Sequence, residues 1–226
     1  MSSLGKKRKV LLIAYYFPPA GGSAVRRIIA FVTYLSRLGW DVTVLTARKE
    51  DYSLTDPSLL AVIPDNVTVC RTRAPDPYTL FARVSGSEKE DVDIATLTSP
   101  DDNYTFLQKM AVVIRKVFFI PDARLGWITF LIRAGSRIIK KEKIDIILAS
   151  SPPFSTALGA GLLSKLTAVP WVSDYRDPWT GAYFYLPRPA FSSKVEEALE
   201  QWLLKSAAGI ITINKQIRRD LELKYG

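Results

Sequence analysis

The stretch VLLIAYYFPPAGGSAVRRI, residues 10–28, leaves a hydrophobic run, crosses two prolines and two glycines, and enters a helical pattern. Its first half, residues 10–17, is continuously apolar and rich in branched and aromatic side chains, as is typical of a strand buried in a parallel sheet. Apolar residues then recur at helical spacing before a C-capping glycine: Val25, Ile28, Ile29, Val32, Leu35, Leu38 and Gly39. The stretch therefore predicts a strand, a loop and a helix.

The same alternation continues along the chain. Further strands are predicted at WDVTVLTA (40–47), VTVCRTR (67–73), IDIILASSPP (144–153), VPWVSDYRDPW (169–179, leading into a charged loop) and IITIN (210–214). Further helices are predicted at about 105–119, 126–141, 155–168, 193–209 and 215–226. This order predicts an α/β fold with a Rossmann-like, doubly wound, mainly parallel sheet. We expect a single domain over residues 1–226, with an irregular excursion at 74–104, where prolines and a charge run interrupt the pattern.

Composition restricts the possible chemistry. The 226 residues include 48% hydrophobic residues, enough for one large core. The lone cysteine, Cys70, excludes a disulfide framework and favours a reducing compartment, and the absence of histidine excludes imidazole bases and histidine metal sites. No apolar run approaches the ~18 residues that a membrane span needs. We expect a cytoplasmic protein, at most peripheral on the inner face of a membrane, with no metal site.

Charge is unevenly distributed in a chain whose net charge is +9. Residues 109–143 hold nine basic and two acidic residues, whereas residues 88–102 hold six acidic residues and one lysine. The basic segment also contains aromatic and aliphatic side chains, among them Phe118, Phe119, Trp127, Phe130 and Leu131. This mixture suits an anionic membrane surface, and it equally suits a helix with one core face and one solvated face.

Ligands of a doubly wound sheet bind at the carboxyl ends of its strands, where the strand order reverses, usually between the first and fourth strands. The loops that follow those strands are PPAGGS (18–23) and SSPPFS (150–155), with DYRDPW (174–179) beside them. Glycines permit close approach of a ligand to the backbone, and the first turn of a helix attracts anions. We therefore predict a phosphate or acceptor site at Gly21, Gly22, Ser23 (as the N-cap), Arg26, Ser151 and Pro152. The alternative is an ordinary turn followed by solvated arginines.

Two common nucleotide-binding motifs are absent. The chain has no G-x-G-x-x-G sequence, and its second strand ends in LTAR without the acid that binds a ribose. It also has no G-K-[ST] sequence of the P-loop type. These absences argue against an NAD-dependent oxidoreductase or a P-loop enzyme.

Three segments follow one another in the chain: YYFPPAGGSAVR (15–26), VSDYRDPW (172–179) and EEALEQWLLKSAAGIITIN (196–214). Their sequences and their order resemble those of the glycosyltransferases of family 4. YYFPPAGGSAVR (15–26) is similar to that family's first loop, and VSDYRDPW (172–179) to the loop after its fifth strand. EEALEQWLLKSAAGIITIN (196–214) resembles its next helix and strand, which commonly read E…AD.IIAVS. The resemblance covers nearly all of residues 10–226 and is poorest at 74–104.

This resemblance implies the N-terminal, acceptor-side half of an enzyme with GT-B architecture, in which two Rossmann-like domains face each other. Such an enzyme moves a sugar from a nucleotide-sugar to a glycan or lipid-linked acceptor, usually with retention, and serves for example in polysaccharide biosynthesis. The nucleotide-sugar is a substrate, so no cofactor is implied. The C-terminal, donor-binding domain is expected to be absent, because the chain stops at LELKYG, about where the family crosses to it. We therefore expect the chain alone to be inactive.

The loop after the fifth strand supplies the candidate catalytic residues: Asp174, Arg176 and Asp177. Carboxylate and guanidinium groups can bind sugar hydroxyls in a bidentate manner, and Trp179 could stack on a sugar face. The alternative is an internal brace of the aspartate–arginine type. Many relatives have a histidine in this region, and this chain has none.

A second function class remains open. The net charge of +9 would also suit a non-catalytic α/β domain that binds a peripheral membrane surface or a nucleic acid. No recognised nucleic-acid motif accompanies the charge, so no nucleic-acid partner is expected. The expected partners are a nucleotide-sugar, a glycan or lipid-linked acceptor and an anionic membrane surface.

Overall fold

A computed structural model of the protein describes residues 7–48, 54–75, 120–180 and 189–226. In chain order its elements are β1 (Lys9–Ile13), α1 (Ser23–Arg37), β2 (Asp41–Arg48), a 3-10 helix (Pro57–Leu60), β3 (Thr68–Arg73), α2 (Trp127–Glu142), β4 (Ile146–Ser151), α3 (Phe154–Thr167), β5 (Trp171–Tyr175), α4 (Ala190–Ser206), β6 (Gly209–Thr212) and α5 (Lys215–Tyr225). The helix predicted at about 105–119 and all but the first two residues of the 74–104 excursion lie outside the described residues.

The six strands form one parallel sheet in the order β3-β2-β1-β4-β5-β6. The strand order reverses between β1 and β4, which are neighbours, with Ile13 beside Ala149. This arrangement confirms the predicted α/β, Rossmann-like fold and its switch point. The carboxyl ends of β1, β4 and β5 therefore lie side by side.

Alternating side chains of β1 reach two different hydrophobic layers. Val10 and Leu12 pack in a cluster with Ile28 and Val32 of α1, whereas Leu11 packs in a second cluster with residues of α2 and α3. A strand with helices on both faces is buried on both sides, which explains why it is continuously apolar. Strand β1 ends at Ile13, earlier than the predicted residue 17, although the backbone N–H of Ala14 still donates to Leu45 at 3.1 Å.

Helix α2 shows how the described part of the basic segment is used. Trp127 and Leu131 are fully buried, and the Trp127 indole donates to Thr72 Oγ1 at 2.8 Å. The opposite face of the helix carries exposed basic residues: Arg133, Arg137, Lys140 and Lys141. Helix α2 therefore has one core face and one solvated face, while Phe118 and Phe119 lie outside the described residues. None of the helices in the described ranges combines the length and the hydrophobicity that crossing a bilayer requires.

Candidate functional site

Three loops predicted to approach a ligand meet at the carboxyl edge of the sheet. The ends of β4 and β5 are in register, with Ser151 beside Tyr175, and the Arg176 N–H donates to the Ser151 carbonyl at 3.2 Å. The loop after β1 joins them through α1, because Arg27 reaches Asp174 on β5. The fold therefore gathers residues that are far apart in the sequence into one edge.

The glycine loop starts α1 without a side-chain cap. Gly22 occupies the N-cap with φ 99°, a conformation that side chains rarely adopt, and Ser23 is the first helical residue. The prediction of Ser23 as the N-cap was wrong, because the chain needs a positive φ at the residue before it. The first hydrogen bond into the helix runs from the Arg26 N–H to the Gly22 carbonyl, at 3.2 Å. The preceding N–H groups have no acceptor within the helix, and the helix dipole makes this end favourable for an anion.

Gly21 is closely packed against the segment Leu54–Asp56. Its N–H donates to the Leu54 carbonyl at 2.9 Å, and the Asp56 N–H donates to the Pro19 carbonyl at 2.8 Å. A Cβ atom at Gly21 would lie 3.0 Å from Leu54 Cγ. The close approach that the sequence predicted at Gly21 is thus made by the protein's own chain. Gly22, in contrast, has only Leu54 Cδ2 near its would-be Cβ, at 3.6 Å.

The two neighbouring arginines of α1 have different acidic partners. Arg26 lies 3.7 Å from an Asp56 oxygen, and its side chain is 71% exposed. Arg27 makes a bidentate contact with Asp174: its Nε lies 3.0 and 3.2 Å from the two carboxylate oxygens, and its Nη2 lies 2.6 Å from Oδ1. Arg26 stays the predicted contact of an anionic ligand, whereas Arg27 is engaged within the protein by Asp174. The sequence shows two basic residues at the start of the helix, but it does not show which of them has a buried partner.

Asp174 is completely buried and fully paired. Besides Arg27, the Ser150 hydroxyl donates to its Oδ2 at 2.7 Å. Burial of an unpaired carboxylate is costly, so a bidentate guanidinium and a hydroxyl are suitable compensation. Hydrogen bonding to Asp174 raises the pKa of Arg27 above its already high value, despite the opposing effect of burial. The geometry favours the brace interpretation of Asp174, with Arg27 as partner in place of Arg176, and a role in binding sugar stays a prediction.

Arg176 and Asp177 form a separate pair in the loop itself. The Nε and Nη2 atoms of Arg176 both lie 3.1 Å from Asp177 Oδ2. Their side chains are 19% and 34% exposed, so both groups reach the surface at the edge of the sheet. A guanidinium and a carboxylate that hold each other and still face solvent can donate to and accept from hydroxyl groups. Of the three candidate catalytic residues, these two keep part of their surface exposed, whereas Asp174 does not.

The remaining predicted residues are less accessible. Trp179 is 2% exposed, and its ring stacks on Phe154 at 4.9 Å with an interplanar angle of 14°. This placement disfavours stacking on a sugar, because a core ring covers the indole. Ser151 is buried and its hydroxyl donates to the Asp174 carbonyl at 3.4 Å, whereas Pro152 is half-buried.

Asp122 was missed by the sequence analysis. Its Oδ2 accepts from the Ser155 N–H at 2.9 Å, and its Oδ1 accepts from the Arg124 N–H at 2.9 Å. The carboxylate thereby caps the N-terminus of α3 from a distant segment. The negative charge of Asp122 makes the start of α3 less favourable for an anion than the start of α1, which has no side-chain cap. Within the described ranges, no three potential acidic or thiol ligands lie together as a metal site would need.

Comparison with known families settles the class of this domain. The family described as Glycosyltransferase Family 4 matches residues 82–226, more than half of the chain. The chain belongs to glycosyltransferase family 4. It is a glycosyltransferase-type domain, and the Rossmann-like sheet described above is its scaffold. A comparison with curated proteins finds no match.

Solved structures with a similar fold are distant in sequence. A putative UDP-N-acetylglucosamine 2-epimerase from Listeria monocytogenes has 13% identity and a TM-score of 0.52, over 98% of this chain and 42% of that chain. A second UDP-N-acetylglucosamine 2-epimerase has 14% identity and a TM-score of 0.52, over 98% of this chain and 46% of that one. A glycosyltransferase from Rickettsia africae ESF-5 has 13% identity and a TM-score of 0.47, over 97% and 40%. At these identities the likeness to the two epimerases shows the fold alone, and the chain spans less than half the length of all three proteins.

Proposed function

We propose that this domain forms one wall of a cleft in which a sugar passes from a nucleotide-sugar to a glycan or lipid-linked acceptor, with retention of configuration. The observation that carries the proposal is the meeting of three loops at the switch point, braced by Arg27 and Asp174. Membership of glycosyltransferase family 4 supplies the reaction class. We propose no cofactor beyond the nucleotide-sugar substrate.

The donor phosphates are proposed to approach the start of α1. The uncapped N–H groups after Gly22 and the exposed guanidinium of Arg26 both favour a phosphate. A helix N-terminus contributes only about 0.3–1 kcal/mol to binding an anion at the surface. The proposed donor affinity of this wall is therefore low.

The acceptor is proposed to contact the Arg176–Asp177 pair. Sugar hydroxyls donate and accept at neighbouring positions, so a guanidinium beside a carboxylate matches them in pairs. This assignment uses the members of the charged loop that keep part of their surface exposed.

Catalysis is proposed to require a second wall. Stabilising a departing nucleotide diphosphate depends on donors placed around the developing charge, and enzymes supply about 8 kcal/mol or more of transition-state stabilisation. One helix start and one arginine fall far short of that. We therefore propose weak donor binding without turnover for residues 1–226 alone.

The exposed face of α2 is proposed to dock on an anionic membrane surface at its cytoplasmic side. Arg133, Arg137, Lys140 and Lys141 lie on one exposed face, and each basic residue near such a surface contributes about 1 kcal/mol. Docking would bring a lipid-linked acceptor to the sheet edge.

The same exposed basic face of α2 supports the second candidate function, a non-catalytic membrane-binding domain. Co-sedimentation with anionic and neutral vesicles at two salt concentrations tests the docking, and equal binding to both contradicts it.

The ligand site is tested by amide chemical-shift mapping with millimolar UDP and UDP-glucose for the donor end and millimolar methyl glucoside for the acceptor loop. Gly22 and Ser23 are expected to shift with UDP and UDP-glucose, and Arg176 and Asp177 with the methyl glucoside, while the residues of β3 do not shift. Arg176→Ala should abolish the response in its own loop, and the matched control Lys215→Ala, in an exposed turn of α5, should leave every response unchanged. Vesicle binding by a wild type that shows no ligand response at the sheet edge would favour the non-catalytic alternative.

A further inference from the structure

A second buried carboxylate lies behind the charged loop. Glu200 of α4 is 1% exposed, and the mechanism proposed above does not use it. Its Oε1 accepts from the Tyr175 hydroxyl and, at 3.2 Å, from the Thr180 N–H. Its Oε2 accepts from the hydroxyls of Thr180 and Tyr225, and Lys224 lies 3.4 Å away. Five donors from three elements thus surround one side chain.

The two anchors on the loop side flank the Arg176–Asp177 pair. Tyr175 precedes the pair and Thr180 follows it, so Glu200 is hydrogen-bonded to the chain on both sides of the pair. The Trp179 N–H donates to the Tyr175 hydroxyl at 2.7 Å, which closes the loop upon itself. A segment that is hydrogen-bonded on both sides has few conformations, and side chains that bind a ligand need neighbouring residues that fix their positions.

The other donors come from the last turn of α5. Tyr225 and Lys224 donate to Glu200, so the helix α5 and the loop are bonded to the same carboxylate. Burial and the hydrogen bond to Glu200 raise the pKa of Tyr225, so its hydroxyl remains a donor at neutral pH. The network therefore connects a helix at the edge of the sheet to the candidate site.

We propose that Glu200 is a positioning residue that sets the geometry of the Arg176–Asp177 loop and couples it, through Tyr225, to the docking of α5. The proposal rests on the proposed function in one respect, that this loop contacts the sugar acceptor. The hydrogen-bond network itself predicts the coupling between helix and loop.

The coupling is tested by amide hydrogen exchange in Tyr225→Phe and Glu200→Gln, with Lys194→Gln as the control at an exposed position of the same helix. Tyr225→Phe removes one hydroxyl at the α5 end and leaves the loop residues intact. We expect exchange at Trp179 and Thr180 to rise at least tenfold, with no change at Leu12 in β1. A uniform rise at all three, or no rise at the loop, would overturn the coupling. Tyr225→Phe decides the matter even if Glu200→Gln does not fold.

A ligand titration separates positioning from mere stabilisation. Tyr225→Phe should weaken the shift response of Arg176 and Asp177 to methyl glucoside at least threefold and leave the response of Gly22 to UDP-glucose unchanged. Equal loss at both places, or an unchanged loop response, would show that Glu200 only stabilises the fold. If the wild type responds nowhere, the proposed function and the positioning of a ligand-binding loop both fail, whereas the exchange experiment still decides whether α5 and the loop are coupled.

Discussion

Asp174 and Glu200 are both buried carboxylates near the same loop, and the burial of their negative charges is compensated by different kinds of partner. Asp174, 0% exposed, is paired with one guanidinium at 2.6 Å and one serine hydroxyl. Glu200, 1% exposed, is surrounded by three hydroxyls and one amide, with its lysine at 3.4 Å. The first relies on a single charge, and the second spreads its hydrogen bonds over several neutral groups.

This difference follows from where the partners lie. Arg27 and Ser150 belong to α1 and β4, whose positions the two core clusters determine. Thr180 and Tyr225 belong to a loop and a terminal turn, which pack on the core through Trp179 and Ile217 and receive their polar contacts from the network. We therefore expect the loss of the charged partner to lower the stability of the whole domain, and the loss of one hydroxyl to loosen one loop.

Arg27→Met gives the largest expected effect. The variant leaves a fully buried carboxylate with one hydroxyl, and breaking a buried ion pair on one side typically costs about 3–5 kcal/mol. Urea unfolding of the wild type and variant measures the difference. The double variant Arg27→Met/Asp174→Asn should lose clearly less than the sum of its single variants. Additive losses would mean that the two residues do not act as a pair.

Glu200→Gln should have a smaller effect on the free energy of unfolding. An amide keeps one acceptor oxygen and replaces the other by a donor, so some of the surrounding hydroxyls lose their acceptor, at a cost of about 1–3 kcal/mol. The same urea titration measures it, with Lys194→Gln, at an exposed position of the same helix, expected to match the wild type. A loss as large as that of Arg27→Met would remove the contrast between the two carboxylates.

Alkaline pH should selectively weaken the Glu200 network. Burial and the charge of Glu200 raise the pKa of Tyr175, and burial with the Glu200 hydrogen bond raises that of Tyr225. The folded state then holds these protons when the unfolded chain has released them, so their contribution is complete below the ordinary tyrosine pKa of about 10 and is lost as pH rises above it. Each such group lowers the free energy of unfolding by up to about 1.4 kcal/mol per pH unit. Unfolding measured between pH 8 and 11 should show a shallower decline for Tyr225→Phe, and identical slopes would contradict the assignment.

Arg26→Met should have the smallest effect. Its side chain is 71% exposed and its distance to Asp56 is 3.7 Å, so the pair contributes about 0–1 kcal/mol. This variant is the matched control for Arg27→Met, because the two residues are neighbours in the same turn. Equal destabilisation by both would show that the turn, and not the buried pair, is responsible.

The sequence predicted the fold class because the signals of strand and helix are local. Continuous apolar runs marked the buried strands, apolar residues at helical spacing marked α1, and prolines and glycines marked the loops. Their alternation was sufficient for the parallel sheet, for the switch point between β1 and β4 and for the three loops at its edge. The resemblance to family 4, confirmed by the match over residues 82–226, added the reaction class.

Only the tertiary structure decided which residues of these loops pair with one another. Arg26 and Arg27 are adjacent in sequence, but successive residues of a helix lie about 100° apart around its axis, so only Arg27 faces Asp174, 147 positions away. In the same way, Asp122 caps a helix that begins 32 residues later, and Glu200 accepts hydrogen bonds from residues as far apart in the sequence as Tyr175 and Tyr225. Residue type and hydrophobic periodicity do not predict such partners, because the burial of a side chain and its distance to a partner are determined only when separate elements pack together.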